Sequence, residues 1–280
     1  MSEQKTQASS NILLTSRKNG VLTITMNQPK RLNGWTMDMM DSFKAAFLQA
    51  GKDDEIKAVI FTGTGNYYSA GVNLGGTMKP SHPRTMHRFV VDYNRTLFET
   101  FLECPKPILV AVNGPAIGAS VTSAALCDAI IASEKATFST PFASLGITPE
   151  GCSSIQFERI MGKKNAQRML GKEGWKPTAA EALEAGLVKW VVPDNRLSDE
   201  AQRIAEEWVE QGVTRSYPGG STLEELEEVN KRESVQLADA FTESPFLKEQ
   251  AVFLFRKKKW LPAAMFFSAW ALRPLWSRLL

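Results

Sequence analysis

The chain predicts a mixed α/β fold of repeated strand-strand-helix units followed by a helical region, and three observations carry that expectation. Apolar, β-branched runs recur at Val21-Leu22-Thr23-Ile24-Thr25-Met26, Ala58-Val59-Ile60-Phe61 and Pro107-Ile108-Leu109-Val110-Ala111-Val112, and glycine-bearing turns follow the second and third. Helical stretches alternate with them: Met37 to Ala50 behind the N-cap residue Thr36, Arg84 to Glu103, and Gly118 to Cys127. At about Asp194 the strands stop and charged amphipathic helices begin, with no low-complexity linker before that point.

These breaks give four segments. Residues 1–10 are polar, lack the apolar core of a secretory signal and are expected to be disordered. Residues 11–194 form the α/β core, 195–259 a helical region and 260–280 an aromatic-rich tail. Within the helical region, Leu223 to Ala240 mixes acidic and basic residues and reads as a solvated helical face.

With 280 residues, 43% of them hydrophobic and 22% charged, the chain can bury a sizeable core in one large domain. A formal charge of +3 is too weak to argue for a nucleic-acid partner. Cys104, Cys127 and Cys152 are odd in number and have no metal-ligand spacing, which argues against a disulfide framework and fits reducing surroundings. His82 and His87 lie in a polar helix start and read as surface residues.

Three segments carry chemistry. In Thr148-Pro149-Glu150-Gly151-Cys152-Ser153-Ser154 a single carboxylate stands among small, uncharged residues. Desolvation there would raise the pKa of Glu150 toward the range of a general base, although a carboxylate at a helix N-terminus, stabilised by the macrodipole, has the same local sequence. In Asn66-Tyr67-Tyr68-Ser69-Ala70-Gly71-Val72-Asn73-Leu74 a strand runs into a loop. In Asn113-Gly114-Pro115-Ala116-Ile117-Gly118-Ala119-Ser120 a strand enters a tight turn and then a helix. Small residues let a ligand approach the backbone, and N–H groups from such a loop and such a helix start can converge on one oxygen.

In this order and spacing the segments resemble the crotonase superfamily, the enoyl-CoA hydratases and isomerases, over roughly residues 11 to 258. The resemblance implies a crotonase-like spiral of ββα units. It also implies an oxyanion hole from the N–H groups of Val72 and Ala119, and contacts to substrate from Ser69, Ala70, Leu74, Gly118 and Phe142. Lys30 and Arg31 stand where the family carries a basic loop near the nucleotide, so they are expected at the CoA phosphates. For Arg256-Lys257-Lys258-Lys259 a basic helix end facing its own carbonyl dipole is the simpler explanation. The two glutamates of family hydratases fall on Thr122 and Phe142, which predicts no ordinary hydratase activity. Pro141 to Gly151 looks like the peroxisomal Δ3,Δ2-enoyl-CoA isomerase branch, in which the glutamate at the Glu150 position is the base. That likeness implies an acyl-CoA substrate, no metal or redox cofactor, and assembly as a homotrimer or dimer of trimers. Dienoyl-CoA isomerisation, thioester hydrolysis and a catalytically weak CoA-binding scaffold are the alternatives. Ala119, where family hydratases usually have glycine, keeps its N–H but narrows the pocket.

After Lys259 the chain departs from the family. Residues 260–280 carry three tryptophans, two phenylalanines and only Arg273 and Arg278 as charges. Pro262 and Pro274 interrupt the run, which is too short for a bilayer core of about 30 Å. The tail is expected to pack on another subunit, with a membrane surface as the alternative. Arg278-Leu279-Leu280 is not the small-basic-leucine peroxisomal signal, so localisation stays open between a peroxisomal matrix and a bacterial cytoplasm.

Overall fold

The structure is a computed structural model that describes residues 12–73 and 82–279; the expectation for residues 1–10 and the site residue Leu74 lie outside the described residues. Strands β1 (Leu13–Lys18) and β2 (Val21–Met26) form an antiparallel hairpin across the Asn19-Gly20 turn. From β2 onward the sheet is parallel through β3 (Ala58–Gly63), β4 (Ile108–Val112), β6 (Ala129–Ser133) and β8 (Trp190–Val192), in the order β1-β2-β3-β4-β6-β8. Two short strands, β5 (Ala116–Ile117) and β7 (Phe138–Ser139), pair with each other beside it. Every residue of β4 and β6 is buried, which is why β4 reads as an unbroken apolar run and β6 is apolar up to Ser133.

Alternate residues serve the two faces. On one side Ile24, Val59, Phe61 and Val110 join α1 (Met37–Lys52) and α2 (Pro83–Leu102) around Trp35, Phe43, Phe47 and Phe101. Thr36 caps α1 as expected, its Oγ1 accepting from Met39 N. On the other side Ala58, Ile60, Leu109 and Ile131 are covered by Leu197, Ala201 and Ile204 of a helix at Leu197–Glu210. That helix lies beyond Asp194, so the helical region supplies one layer of the sheet domain.

Shorter helices α3 (Ala119–Ala124) and α4 (Phe142–Leu145) follow β5 and β7, and α5 (Ser153–Leu170) and α6 (Ala179–Glu184) lead to β8. The 197–210 helix is then α7. Next, α8 (Leu223–Thr242) corrects the expectation of a solvated face. Leu226, Val229, Asn230, Glu233, Ser234, Leu237, Ala238 and Phe241 are all buried, a stripe at helical spacing that lies along α2. Apart from the buried Glu233, the charges lie on the other side, with Glu224, Glu227, Glu228, Lys231, Arg232 and Asp239 exposed.

The tail forms α10 (Trp260–Ala271) and α11 (Arg273–Trp276) after α9 (Ser244–Arg256). Its inner side packs on its own chain: Phe266, Ala269, Trp270 and Trp276 lie against Val90, Leu237, Phe241 and Phe246. Packing on another subunit is therefore open only to the outer side, where Trp260, Leu261, Phe267 and Leu275 stay exposed. Among the described residues no helix is long and apolar enough to cross a membrane.

Candidate active site

The site begins where β3 ends. Asn33, buried behind β2, donates from Nδ2 to Thr64 O and Tyr67 O, both at 2.8 Å, and accepts from Gln28 N through Oδ1. Ser69 is fully buried; its Oγ donates to Asn33 O at 2.8 Å and accepts from Gly71 N at 3.0 Å. Ser69 thus shapes the loop from within, and it does not line the pocket, where the family resemblance places it against substrate. Ser69 also pairs with Ala116, and Val72 with Trp35, as isolated bridges that lay the loop beside β5.

Gly71 brings the two backbone segments together. It lies at φ +73°, and a methyl group there would stand 2.3 Å from the Ile117 carbonyl oxygen and 3.7 Å from Ala119 N. Only glycine fits so close an approach at that φ. The Ala119 N–H heads α3, one of the first donors of a helix, which have no intrahelical acceptor. Among the described residues neither the Val72 nor the Ala119 N–H has a backbone acceptor. Both residues line one pocket with Ala70, Gly118, Phe142 and Glu150.

Among the described residues that line that pocket, Glu150 is the only carboxylate. It is 7% exposed, and burial raises its pKa from 4.5 to about 7. Asn94 Nδ2, donating to Glu150 Oε2 at 2.6 Å, opposes that rise, whereas the nearby Glu233 carboxylate adds to it. Ser234 Oγ in turn donates to Asn94 Oδ1 at 2.9 Å, so α2 and α8 together orient the group. The helix-terminus alternative for Glu150 is filled by another residue: Glu233, 1% exposed, accepts from Ser154 N in the first turn of α5. Sequence reasoning misses Asn94, Ser234 and Glu233, because nothing in their local sequence separates them from other polar helix residues.

The remaining expected residues fall as follows. Thr122 is buried, donates to Ala119 O of its own helix and does not line the pocket, so no water-activating group stands there. Lys30 and Arg31 sit exposed on a single helical turn, Pro29–Arg31, outside the pocket. That turn is joined to the loop of Val72, since Ala70 N donates to Leu32 O at 2.9 Å. His87 of α2 reaches α8, its Nε2 2.8 Å from Asp239 Oδ1.

Residues 16–249 match the family described as enoyl-CoA hydratase/isomerase. The chain belongs to that family. This crotonase-family protein is 34% identical over 275 residues to mouse enoyl-CoA delta isomerase 3, peroxisomal, an alignment covering 92% of this chain and 82% of the mouse protein. It is 37% identical over 240 residues to rat enoyl-CoA delta isomerase 2, covering 83% of this chain and 58% of the rat protein. The crotonase fold is shared with the crystal structure of an enoyl-CoA hydratase/isomerase from Pseudoalteromonas atlantica T6c, at a TM-score of 0.72 and 31% identity, covering 88% of this chain and 97% of the other.

Proposed function

We propose that this crotonase-family protein is a Δ3,Δ2-enoyl-CoA isomerase of fatty-acid oxidation. The observation that carries the reading is the desolvated Glu150 lining a pocket that Val72 and Ala119 also line. The similarity to two enoyl-CoA delta isomerases supports it. With the thioester oxygen on the two N–H groups, the carboxylate of Glu150 takes a proton from C2, and negative charge moves onto that oxygen as the enolate forms. The same group then returns the proton to C4 while the double bond settles between C2 and C3. One base suffices, and the shift needs neither a metal nor a redox cofactor.

Lys30 and Arg31 are proposed to meet the CoA phosphates, held near the thioester site by the hydrogen bond from Ala70 to Leu32. Assembly as a trimer or dimer of trimers belongs to the same proposal, with the exposed outer side of α10 as a contact surface; sedimentation velocity with and without anionic vesicles separates a subunit contact from a membrane contact.

The deciding experiment supplies 3-enoyl-CoA and 2-enoyl-CoA separately and follows double-bond position and water uptake. Isomerisation of the first with only trace hydration of the second is expected, because Thr122 and Phe142 offer no second carboxylate. Rapid hydration would overturn the reading.

Asn94 gives a pH-dependent check. Its hydrogen bond favours ionised Glu150, so Asn94→Ala should raise the kinetic pKa from its wild-type position near 7. Loss of a bond to a charged acceptor corresponds to about one pH unit. The rising limb of kcat/KM should move by that amount to higher pH, with the plateau rate kept within a few-fold. A limb that stays in place means that Asn94 does not set the basicity of Glu150.

A further inference from the structure

We infer that the tail helix α10 forms the outer layer of the acyl-chain pocket wall and sets the longest chain the pocket accepts; the inference rests on the acyl-CoA reading above. Helices α2 and α8 run antiparallel, with Asn94 against Ser234, Val90 beside Leu237 and His87 against Asp239. From the level of Glu150, held by Asn94, α8 advances through Leu237 to Phe241, about 10 Å along the axis from Ser234. Leu237, Phe241, Val90 and Ile147 line the pocket at that remote end.

Val90, Leu237 and Phe241 belong to the cluster on which the tail packs, and Ile147 packs against the same cluster. Phe241 stacks on Phe246 at 4.4 Å between ring centroids, and Phe246 meets Phe266 of α10 edge-on at 6.0 Å. The tail is also fastened there by polar groups. Arg273 Nε donates to Thr242 O at 2.8 Å, and its guanidinium pairs with Glu243 at 2.7 Å, which holds the last turn of α8. Trp276 Nε1 donates to Ala269 O at 2.7 Å and folds α11 back on α10. From the opposite side Gly146 presses on the start of α9: a methyl group on it would lie 2.8 Å from Phe246 N and Pro245 C. The remote wall therefore has two layers, the lining side chains and the rings of the tail. The family match ends at residue 249, so the outer layer lies beyond it.

Removing a ring from the outer layer leaves a void into which Phe246, and then Phe241, can relax. The test titrates a ladder of saturated acyl-CoAs, butanoyl to tetradecanoyl, into the intact protein, Phe266→Ala, and Leu261→Ala on the exposed side, and measures turnover of 3-hexenoyl- and 3-decenoyl-CoA. For Phe266→Ala the longest tightly bound chain should lengthen by two carbons or more, and kcat/KM for decenoyl relative to hexenoyl should rise about tenfold, as two more buried methylenes imply. Leu261→Ala should leave both unchanged. If Phe266→Ala does not fold, the milder Phe266→Leu should shift the cutoff in the same direction by a smaller amount. A folded Phe266 variant with the wild-type cutoff overturns the wall proposal while turnover persists. A shifted binding cutoff without isomerisation by any of the proteins overturns the isomerase reading and leaves the wall in place.

Discussion

Glu150→Gln is expected to lower turnover of 3-enoyl-CoA by about 10²- to 10⁴-fold, the usual cost of losing a positioned general base. The substitution keeps the size of the side chain and an acceptor for Asn94 Nδ2, so the pocket and acyl-CoA binding should change little. The same variant should be more stable than the parent at neutral and higher pH. A carboxyl whose folded pKa is raised from 4.5 to about 7 resists ionisation only in the folded state. Between those values the folded protein binds more protons than the unfolded chain, so wild-type stability falls as pH rises through the window and levels off above it. The full difference is of the order of 3 kcal/mol, from about 1.4 kcal/mol for each pH unit. Thermal melts of both proteins at pH 4.5 and pH 8, beside steady-state kinetics, check the two expectations together. A Gln variant that isomerises near the wild-type rate removes Glu150 as the base. A variant that is inactive and destabilised at pH 8 shows that the loss came from disrupted packing.

Gly71→Ala is the second large effect expected. The added methyl would stand 2.3 Å from the Ile117 carbonyl oxygen, which is backbone and cannot swing aside, and alanine at φ +73° costs about 1 to 2 kcal/mol by itself. The loop carrying Val72 must therefore move away from the turn that carries Ala119. Losing one oxyanion donor in this way should reduce kcat by about 10²- to 10³-fold. The melting temperature should fall by several degrees, at roughly 2 to 4 °C for each kcal/mol in a domain of this size. Kinetics at saturating substrate make the comparison, with the Tm as the structural control. If kcat stays within a few-fold of wild type, the approach of these two loops does not build the oxyanion site.

Together the variants test the two proposed contributions: proton transfer by Glu150, and stabilisation of the resulting charge by the loops on either side of Gly71. Asn94 stands between structure and chemistry, since it touches the proposed base and its proposed role runs through that contact.

Sequence by itself determined three strands of the sheet, those at Val21–Met26, Ala58–Gly63 and Ile108–Val112. Ile108–Val112 is wholly buried, and a strand covered on both faces has to be an apolar run, a pattern visible in the residues alone; the short strands Ala129–Ser133 and Trp190–Val192 emerged only from their pairing in the sheet. Glu150 stood out in the sequence as a lone carboxylate among small residues, whereas Val72 and Ala119 were singled out by the family resemblance; the structure places all three around one pocket. Tertiary structure decided the rest. Asn94 meets Glu150 across 56 positions and Ser234 across 140, and a hydrogen bond between such distant residues leaves no local periodicity to read. Charges on Leu223–Thr242 disguised the buried stripe, because a helix can be solvated on one side while Leu237 and Phe241 close a pocket on the other. The aromatic tail announced that it needed a partner. Only packing showed that its first partner is its own chain, since burial of Phe266 and Trp270 depends on where α8 and α9 have already placed Phe241 and Phe246.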